Sequence, residues 1–333
     1  MTITRITQVG CEPGHIDEFD GFYDYIEAGY SISASAAYTG NYGVRVFNES
    51  ITRSHVKLDI PDTRQVRFGM FYEGTPDTPS CIVINLEPQV TIGAGTNGIT
   101  LNVGGVAQGT IMMPPNMFHL GLDCKIDSSS GWVKLYTNGK ERISMTGNTG
   151  NVDITEWQFG RITSGNFICE IYGDDIYIDD TTGESSATPP PAHVFYYITP
   201  DGNGNYAQWT GSDGNSTDNY LLVDAAPPND SDYVLETVAD QYDSYTMSTF
   251  TIPEGILTFN AIIPIVRAKR GDVTEQLAIG TRLSGVDLVS GDYDPTIPFD
   301  YIWERQTTKP GGGSWDQSSL DSVEVLIKSR GSF

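Results

Sequence analysis

The stretch "GWVKLYTNGKERISM", Gly131 to Met145, is the one whose reading decides the fold class. Trp132, Lys134 and Tyr136 alternate with Val133 and Leu135, the spacing that sends successive side chains to opposite faces of a strand. Asn138 and Gly139 then supply two residues that accept the positive φ angles of a type I′ turn, so a two-residue β-hairpin is expected.

The same period recurs outward from this hairpin. "YGVRVFN" from Tyr42, "VRFGMFY" from Val66, "CIVINLE" from Cys81 and "GITLNVGG" from Gly98 alternate or run apolar for strand length, rich in β-branched and aromatic residues. "GN", "NG" and "DG" turns punctuate them, and helical windows are nearly absent, the pattern of an all-β sandwich. Toward the carboxyl end, "ILTFNAIIPIVRAKR" puts Leu257, Phe259, Ala261, Ile263 and Ile265 on one side. Pro264, which has no amide donor, marks an edge strand or bulge there. "DYIWERQ" places Tyr301 and Trp303 on one face, and "SVEVLIKS" does so with Val323, Val325 and Ile327.

Between the two sets of strands lies "TTGESSATPPPA". Three successive prolines cannot join a sheet ladder and favour extended polyproline geometry, so residues 181–192 are expected to be a semi-rigid linker. A chain of 333 residues has room for two domains, each with its own core. The division places domains at 1–180 and 193–333.

Forty-three acids against nineteen bases give a formal net charge of −24, a field that repels a phosphate backbone and disfavours nucleic acid as a partner. From His193 to Val266 there are ten carboxylates and no Lys or Arg. The amino terminus "MTITRITQVGCEPGH" has no apolar signal-peptide core, and no apolar run is long enough to cross a bilayer, so synthesis in the cytoplasm without membrane insertion is expected. Cys11, Cys81, Cys124 and Cys169 are widely spaced with no C-x-x-C pair, which reads as reduced, buried thiols and not as a zinc site.

Catalytic patterns do not assemble. The β-glucanase phrase E-x-D-x-x-E places two carboxylates for a retaining mechanism, but the nearest match, Glu18-Phe19-Asp20-Gly21-Phe22-Tyr23, has Tyr23 where the acid belongs. His15, His55, His119 and His193 stand apart, and no G-x-S-x-G, H-E-x-x-H or P-loop occurs. The expectation is a protein that is not an enzyme.

"DGNGNYAQWTGSDGNSTDN", Asp201 to Asn219, concentrates turn residues around one Tyr and one Trp. Asp201, Asn203 and Asn205 open like an EF-hand, but Tyr206 stands where Gly is needed and Ser212 where Glu is needed. "DGNSTD" at 213–218 and "GDDIYIDD" at 173–180 offer oxygens that calcium in another geometry would accept, although Asp and Asn bonding their own backbone account for the same residues. No cofactor is assigned. A sugar site needs a flat aromatic for the pyranose face and amide or carboxylate oxygens for its hydroxyls. Asp201, Asn203, Tyr206, Asp213 and Asn215 form the candidate glycan site, with Tyr206 exposed and Trp209 packed inward.

Two resemblances sharpen this. "EFDGFYDYIEAGYSISASAAYTGNYGVRV", the hairpin and the closing "EIYGDDIYIDD" look like the concanavalin A-like or laminin-G-like jelly rolls. "YYITPDGNGNYAQWTGSDGNSTDNYLLVDAAPPNDSDYV", "FNAIIPIVRAKRGD" and "YIWERQTTKPGGGSWDQSSLDSVEVLIKS" resemble a carboxyl-terminal β-sandwich attached to such jelly rolls in structural proteins of tailed bacteriophages. The resemblance implies two β-sandwiches in series and a virion structural protein: a capsid or tail decoration, fibre or spike component at the virion surface. Its implied partners are other virion proteins and further copies of itself. The alternative is a carbohydrate-binding module for a host or environmental glycan, and a glycan hydrolase ranks third.

Overall fold

The computed structural model describes residues 4–9, 25–26, 30–33, 37, 43–48, 54–74, 77–78, 81–163, 168–226, 228–236, 238–251, 259–271 and 275–330. Cys11, His15, the Glu18–Tyr23 phrase and Leu257 lie outside them. The chain is all-β and divides into two compact units, Met1–Tyr196 and Tyr197–Phe333.

Unit 1 begins with β1 (Thr4–Val9), β2 (Tyr25–Ile26), β3 (Tyr30–Ser33), β4 (Gly43–Asn48) and β5 (Ser54–Thr63). Next come β6 (Gln65–Glu73), β7 (Cys81–Glu87), β8 (Val90–Gly95), β9 (Gly98–Val103) and β10 (Val106–Ile111). It closes with β11 (Phe118–Lys125), β12 (Gly131–Thr137), β13 (Lys140–Gly147), β14 (Ile154–Arg161) and β15 (Cys169–Asp180). One sheet runs β13-β12-β11-β6-β15-β4-β3 with β1 added on β15, and the other runs β10-β9-β8-β7-β14-β5-β2. The pairings are antiparallel, so side chains of alternate residues project between the sheets. Trp157 of β14, fully buried, meets Phe68 of β6 at 5.7 Å across that space and stacks on Phe159 at 6.2 Å.

The expected hairpin forms as β12 and β13. Asn138 and Gly139 take φ values of 48° and 72°, the positive pair that a type I′ turn requires. Val133 and Leu135 enter the core as the alternation predicts, but Trp132 and Tyr136 on the opposite face are also buried, at 7% and 2% exposure. The proline-rich segment lies beside them, against Gly121 and Asp123 of the neighbouring strand.

Residues 181–196, part of which was expected as a linker, lie against the outer face of the first sheet and belong to unit 1. The Thr188 amide donates to Asp123 Oδ2 at 2.5 Å, the Tyr177 hydroxyl donates to the Pro191 carbonyl at 2.6 Å, and Glu184 pairs with Arg67 at 2.5 Å. His193 meets the Tyr177 ring edge-on at 4.5 Å, and the Phe195 amide donates to Asp175 Oδ1 at 2.9 Å. Tyr136, Gly121, Gly69 and Tyr177 form one transverse row of the sheet. A Cβ at Gly121 would stand 2.9 Å from the Pro190 ring, so the glycine makes the slot the proline fills. Prolines suit this task because, having no amide hydrogen, they leave no buried donor unpaired against a sheet face. The boundary therefore falls after Tyr196.

Unit 2 holds β16 (Pro200–Ala207), β17 (Thr210–Gly211), β18 (Val234–Leu235), β19 (Tyr242–Met247) and β20 (Ile265–Ala268). β21 (Gln276–Leu283), β22 (Val286–Val289), β23 (Asp300–Trp303) and β24 (Glu324–Arg330) complete it. The main sheet runs β16-β19-β24-β21-β22, beside two ribbons, β17-β18 and β20-β23. Trp209, Tyr245, Leu277, Ile279, Ile302 and Ile327 form a core between sheet and ribbons, with Val234, Val266 and Ala268 packed against it. Among the described residues of the stretch expected to run through Pro264, only Ile265–Ala268 is strand, beginning directly after the proline, with Ile262 making an isolated bridge to Gln306. Pro264 has no amide to donate, and its carbonyl accepts from the Glu304 amide at 3.1 Å.

Candidate functional site

The residues chosen from sequence are held by turns and by one another. Asp201 accepts from Thr246 Oγ1 at 2.9 Å, and Asn203 donates to the Thr217 carbonyl at 2.7 Å while accepting from the Tyr220 amide at 3.1 Å. Asp213 accepts from the Asn215 amide at 3.1 Å, and Asn215 accepts from the Thr217 amide at 2.7 Å, the self-bonding that Asp and Asn perform in turns. Asn203, Asp213 and Asn215 therefore gather around Thr217. Tyr206 does not join them.

Tyr206 is half-buried and its ring has two close neighbours. The Arg282 guanidinium lies 4.8 Å from its centre and Tyr242 packs at 4.9 Å. Its hydroxyl donates to Asp287 Oδ2 at 3.1 Å and accepts from Arg282 at 3.0 Å, while Arg282 also pairs with Asp287. Burial first, then the bond to Asp287, raise the phenol above its ordinary value. A ring enclosed in this way is not the open platform expected from sequence. Trp209 does pack inward, at 6% exposure in the core of unit 2.

Other aromatic side chains of unit 2 line an open cleft. A shallow cleft of about 360 Å³ is lined by Tyr293, Tyr301, Ile302, Trp303 and Glu304. Strand pairing builds it: β23 lies antiparallel to β20 with Trp303 opposite Ile265 and Tyr301 opposite Arg267. Tyr293 arrives from a separate segment, anchored by two backbone hydrogen bonds to Leu277 of β21, of 2.8 and 3.0 Å. Its hydroxyl donates to Glu304 Oε2 at 2.6 Å and lies 3.1 Å from the Trp303 carbonyl. Burial, and then the bond to Glu304, push that phenol well above its ordinary value, so it remains a neutral donor and holds the carboxylate in place.

Tyr301 is buried at 7% and its ring carries the Arg267 guanidinium at 5.2 Å, itself fixed by Asp230 at 2.7 and 3.0 Å. Tyr293, Trp303 and Glu304 are half-buried, so each presents part of its surface to solvent. Chemically the cleft offers what a small neutral polar ligand needs: aromatic surface for its C–H faces beside a positioned carboxylate that accepts hydroxyl donors. Its volume falls at the small end of the usual ligand-pocket range of roughly 300–1,000 Å³.

No family model and no curated protein matches the chain. Among solved structures, domain 4 of AbnA, a GH43 extracellular arabinanase from Geobacillus stearothermophilus, in complex with arabinotriose, is similar at 14% identity and a TM-score of 0.38, covering 54% of this chain and 94% of that one. The binding domain of botulinum neurotoxin DC, in complex with SialylT, is similar at 9% identity and a TM-score of 0.37, covering 92% and 93%. A sialidase is similar at 9% identity and a TM-score of 0.37 over 47% of this chain, which spans 17% of the sialidase's length.

Sequence reasoning put Tyr301 and Trp303 on a common face but did not make them a site. The local signal was "YIWE", two aromatics at strand spacing followed by an acid. Tyr293, which completes the cleft and orients Glu304, is reached through its pairing with β21, and nothing near "DYIWERQ" encodes that. Among the described residues, no group of three or more His, Cys, Asp or Glu side chains is arranged to hold a metal ion. Asp174 and Asp175 of the "GDDIYIDD" phrase are buried and accept from the Asp175 and Phe195 amides.

Proposed function

We propose that the chain is a carbohydrate-binding protein and that the Tyr293–Trp303–Glu304 cleft of unit 2 is where the sugar binds. The observation that carries this reading is the pairing of partly exposed Tyr293 and Trp303 with a carboxylate already oriented by a 2.6 Å bond. Preorganisation of that kind reduces the ordering cost of binding a ligand that is itself well hydrated. The test is a glycan array followed by titration calorimetry on the full chain. Trp303→Ala should weaken the recovered sugar by roughly tenfold to a hundredfold, the loss expected for a central aromatic anchor. Tyr206→Ala should leave affinity unchanged. Binding that survives both Trp303→Ala and Glu304→Gln would remove the cleft from consideration, and no binding by the folded chain would remove the function.

The setting we infer for this activity is the outer surface of a tailed-phage particle, among other virion proteins and further copies of the chain. The motifs "YYITPDGNGNYAQWT" and "YIWERQTTKPGGGSWDQSSLDSVEVLIKS" support it by resemblance. Mass spectrometry of purified particles is the check: the chain should be recovered in stoichiometric amount with the particle, and its absence would sink the assignment.

A further inference from the structure

The cations of unit 2 are unevenly placed. Ten carboxylates and no Lys or Arg occupy residues 193–266, and the run ends at Arg267, Lys269 and Arg270, three cations within four residues. In a chain with 43 acids to 19 bases, carboxylates are at hand to pair with surface cations. Arg267 takes one, Asp230, at 2.7 and 3.0 Å. Lys269 is exposed and makes no ion pair among the described residues. Beside it, Arg270 Nε is buried with no hydrogen-bond partner among the described residues.

What Lys269 meets instead is an aromatic row. In the β20–β23 ribbon Ile265 stands opposite Trp303 and Arg267 opposite Tyr301, so these four share one face, while Val266 and Ile302 turn to the core. Phe299, two residues before Tyr301, continues that face. The Arg267 guanidinium lies 5.2 Å from the centre of the Tyr301 ring and 5.8 Å from that of Phe299, and the Lys269 ammonium lies 4.5 Å from the Phe299 ring. Cation–π attraction holds both head groups against the rings. One end of the row is therefore the cleft at Trp303, and the other is an unpaired ammonium beside the half-buried Phe299. Four residues of extended chain separate Trp303 from Phe299, roughly 13 Å, too far for one sugar ring to reach both ends.

We propose that the ligand is an acidic oligosaccharide lying along the face of the β20–β23 ribbon turned away from the core, with one ring in the Tyr293–Trp303 cleft and a negatively charged substituent of a further ring on Lys269. This rests on the assignment of the cleft as a sugar site and names the class of sugar. The groups divide the work between the two ends. Glu304 repels an anion at the cleft, so the ring seated there is uncharged and donates a hydroxyl to the carboxylate. Phe299 supplies a second aromatic surface, and Lys269 the counter-charge. Lys269 gives up no ion pair of its own when it takes an external anion, whereas Arg267 would have to release Asp230.

The test is a glycan array on the full chain, with each sialylated or uronic-acid oligosaccharide spotted beside its desialylated or carboxyl-reduced counterpart, followed by calorimetry on the strongest pair. The acidic member should bind roughly tenfold more tightly, the effect of one charge-assisted hydrogen bond. Lys269→Glu should abolish that preference. Lys140→Glu, the same charge reversal at an exposed lysine of unit 1, should leave it intact. Trp303→Ala should weaken both members of the pair. The comparison of acidic with neutral sugar on the unsubstituted chain decides the matter even if a variant fails to fold. Binding that needs Trp303 but does not favour the acidic member would overturn this inference and leave the cleft as a sugar site. A preference for the acidic member that survives Lys269→Glu would also overturn it, by placing the counter-charge elsewhere. Binding of neither member would remove this inference and the sugar site together.

Discussion

The two units reach a β architecture by different physics. Unit 1 has a large apolar core: Phe68, Met70, Tyr72, Leu120, Leu122, Trp157 and Phe159 are buried at 0% exposure between two sheets, and even the outer face of one sheet is covered. Unit 2 has one principal sheet and a smaller core, and its loops are tied by polar side chains instead. Asp243, at 1% exposure, accepts from the Tyr245 hydroxyl at 2.6 Å, from Asn219 at 2.8 Å and from the Gln208 amide at 3.1 Å. Glu324 likewise accepts from Ser244 Oγ at 2.7 Å and the Asn205 amide at 2.8 Å. Unit 1 also buries carboxylates, Asp123, Asp174 and Asp175, but beside a large apolar core, whereas the smaller core of unit 2 leaves more of the tying of its loops to such groups. In both, each buried carboxylate has to be satisfied, because an unpaired one costs several kcal/mol.

The largest effect that would break this contrast is a cavity in unit 1. Trp157→Ala removes the ring that contacts both Phe68 and Phe159, and should destabilise unit 1 by roughly 3–5 kcal/mol. Hydrogen exchange should show that loss in β6, β7 and β14 while β19, β21 and β24 keep their protection. Equal loss in both sets would mean that the two units fold as one.

Acid should separate the units next. The four histidines are at 15, 55, 119 and 193, all within unit 1. His119 is buried beside Phe71 with no hydrogen bond from the described residues to either ring nitrogen, and burial lowers it from 6.5 to about 4. The unfolded chain therefore takes up this proton first on acidification. Its contribution is fully present above pH 6.5 and is lost as pH falls toward 4, a difference of roughly 3 kcal/mol. In unit 2 the sign reverses: burial raises Asp243, so the folded form binds a proton more readily and gains stability as pH falls toward the ordinary 3.8. Asp123 of unit 1 is also raised by burial and works against His119. Denaturant titrations of His119→Leu isolate the histidine: the variant should lose most of the pH dependence of unit 1 between 6.5 and 4. An unchanged slope would reassign the acid sensitivity to other groups.

The smallest effect sharpens the contrast at the hairpin. Gly139 has φ +72° and nothing within 4 Å of the place a Cβ would take, so Gly139→Ala meets only backbone strain. It should cost roughly 1 kcal/mol by chemical denaturation without altering β12–β13 pairing. A loss several times larger would show that the turn does more than reverse the chain.

The sequence by itself determined what is local. The period of two in "GWVKLYT", the Asn138-Gly139 turn and the inward packing of Trp209 all follow from residue type and spacing, because strand geometry and φ preference act over a few residues. It also carried a warning in Pro264, and the strand does begin only after it. The tertiary structure alone decided which faces are covered and which side chains meet. Tyr206 is locked by Arg282 and Asp287, Pro190 fills a slot above Gly121, and Tyr293 orients Glu304. Each of these depends on register and sheet order, which bring together residues far apart in the chain, and alternation along one strand says nothing about what lies above it.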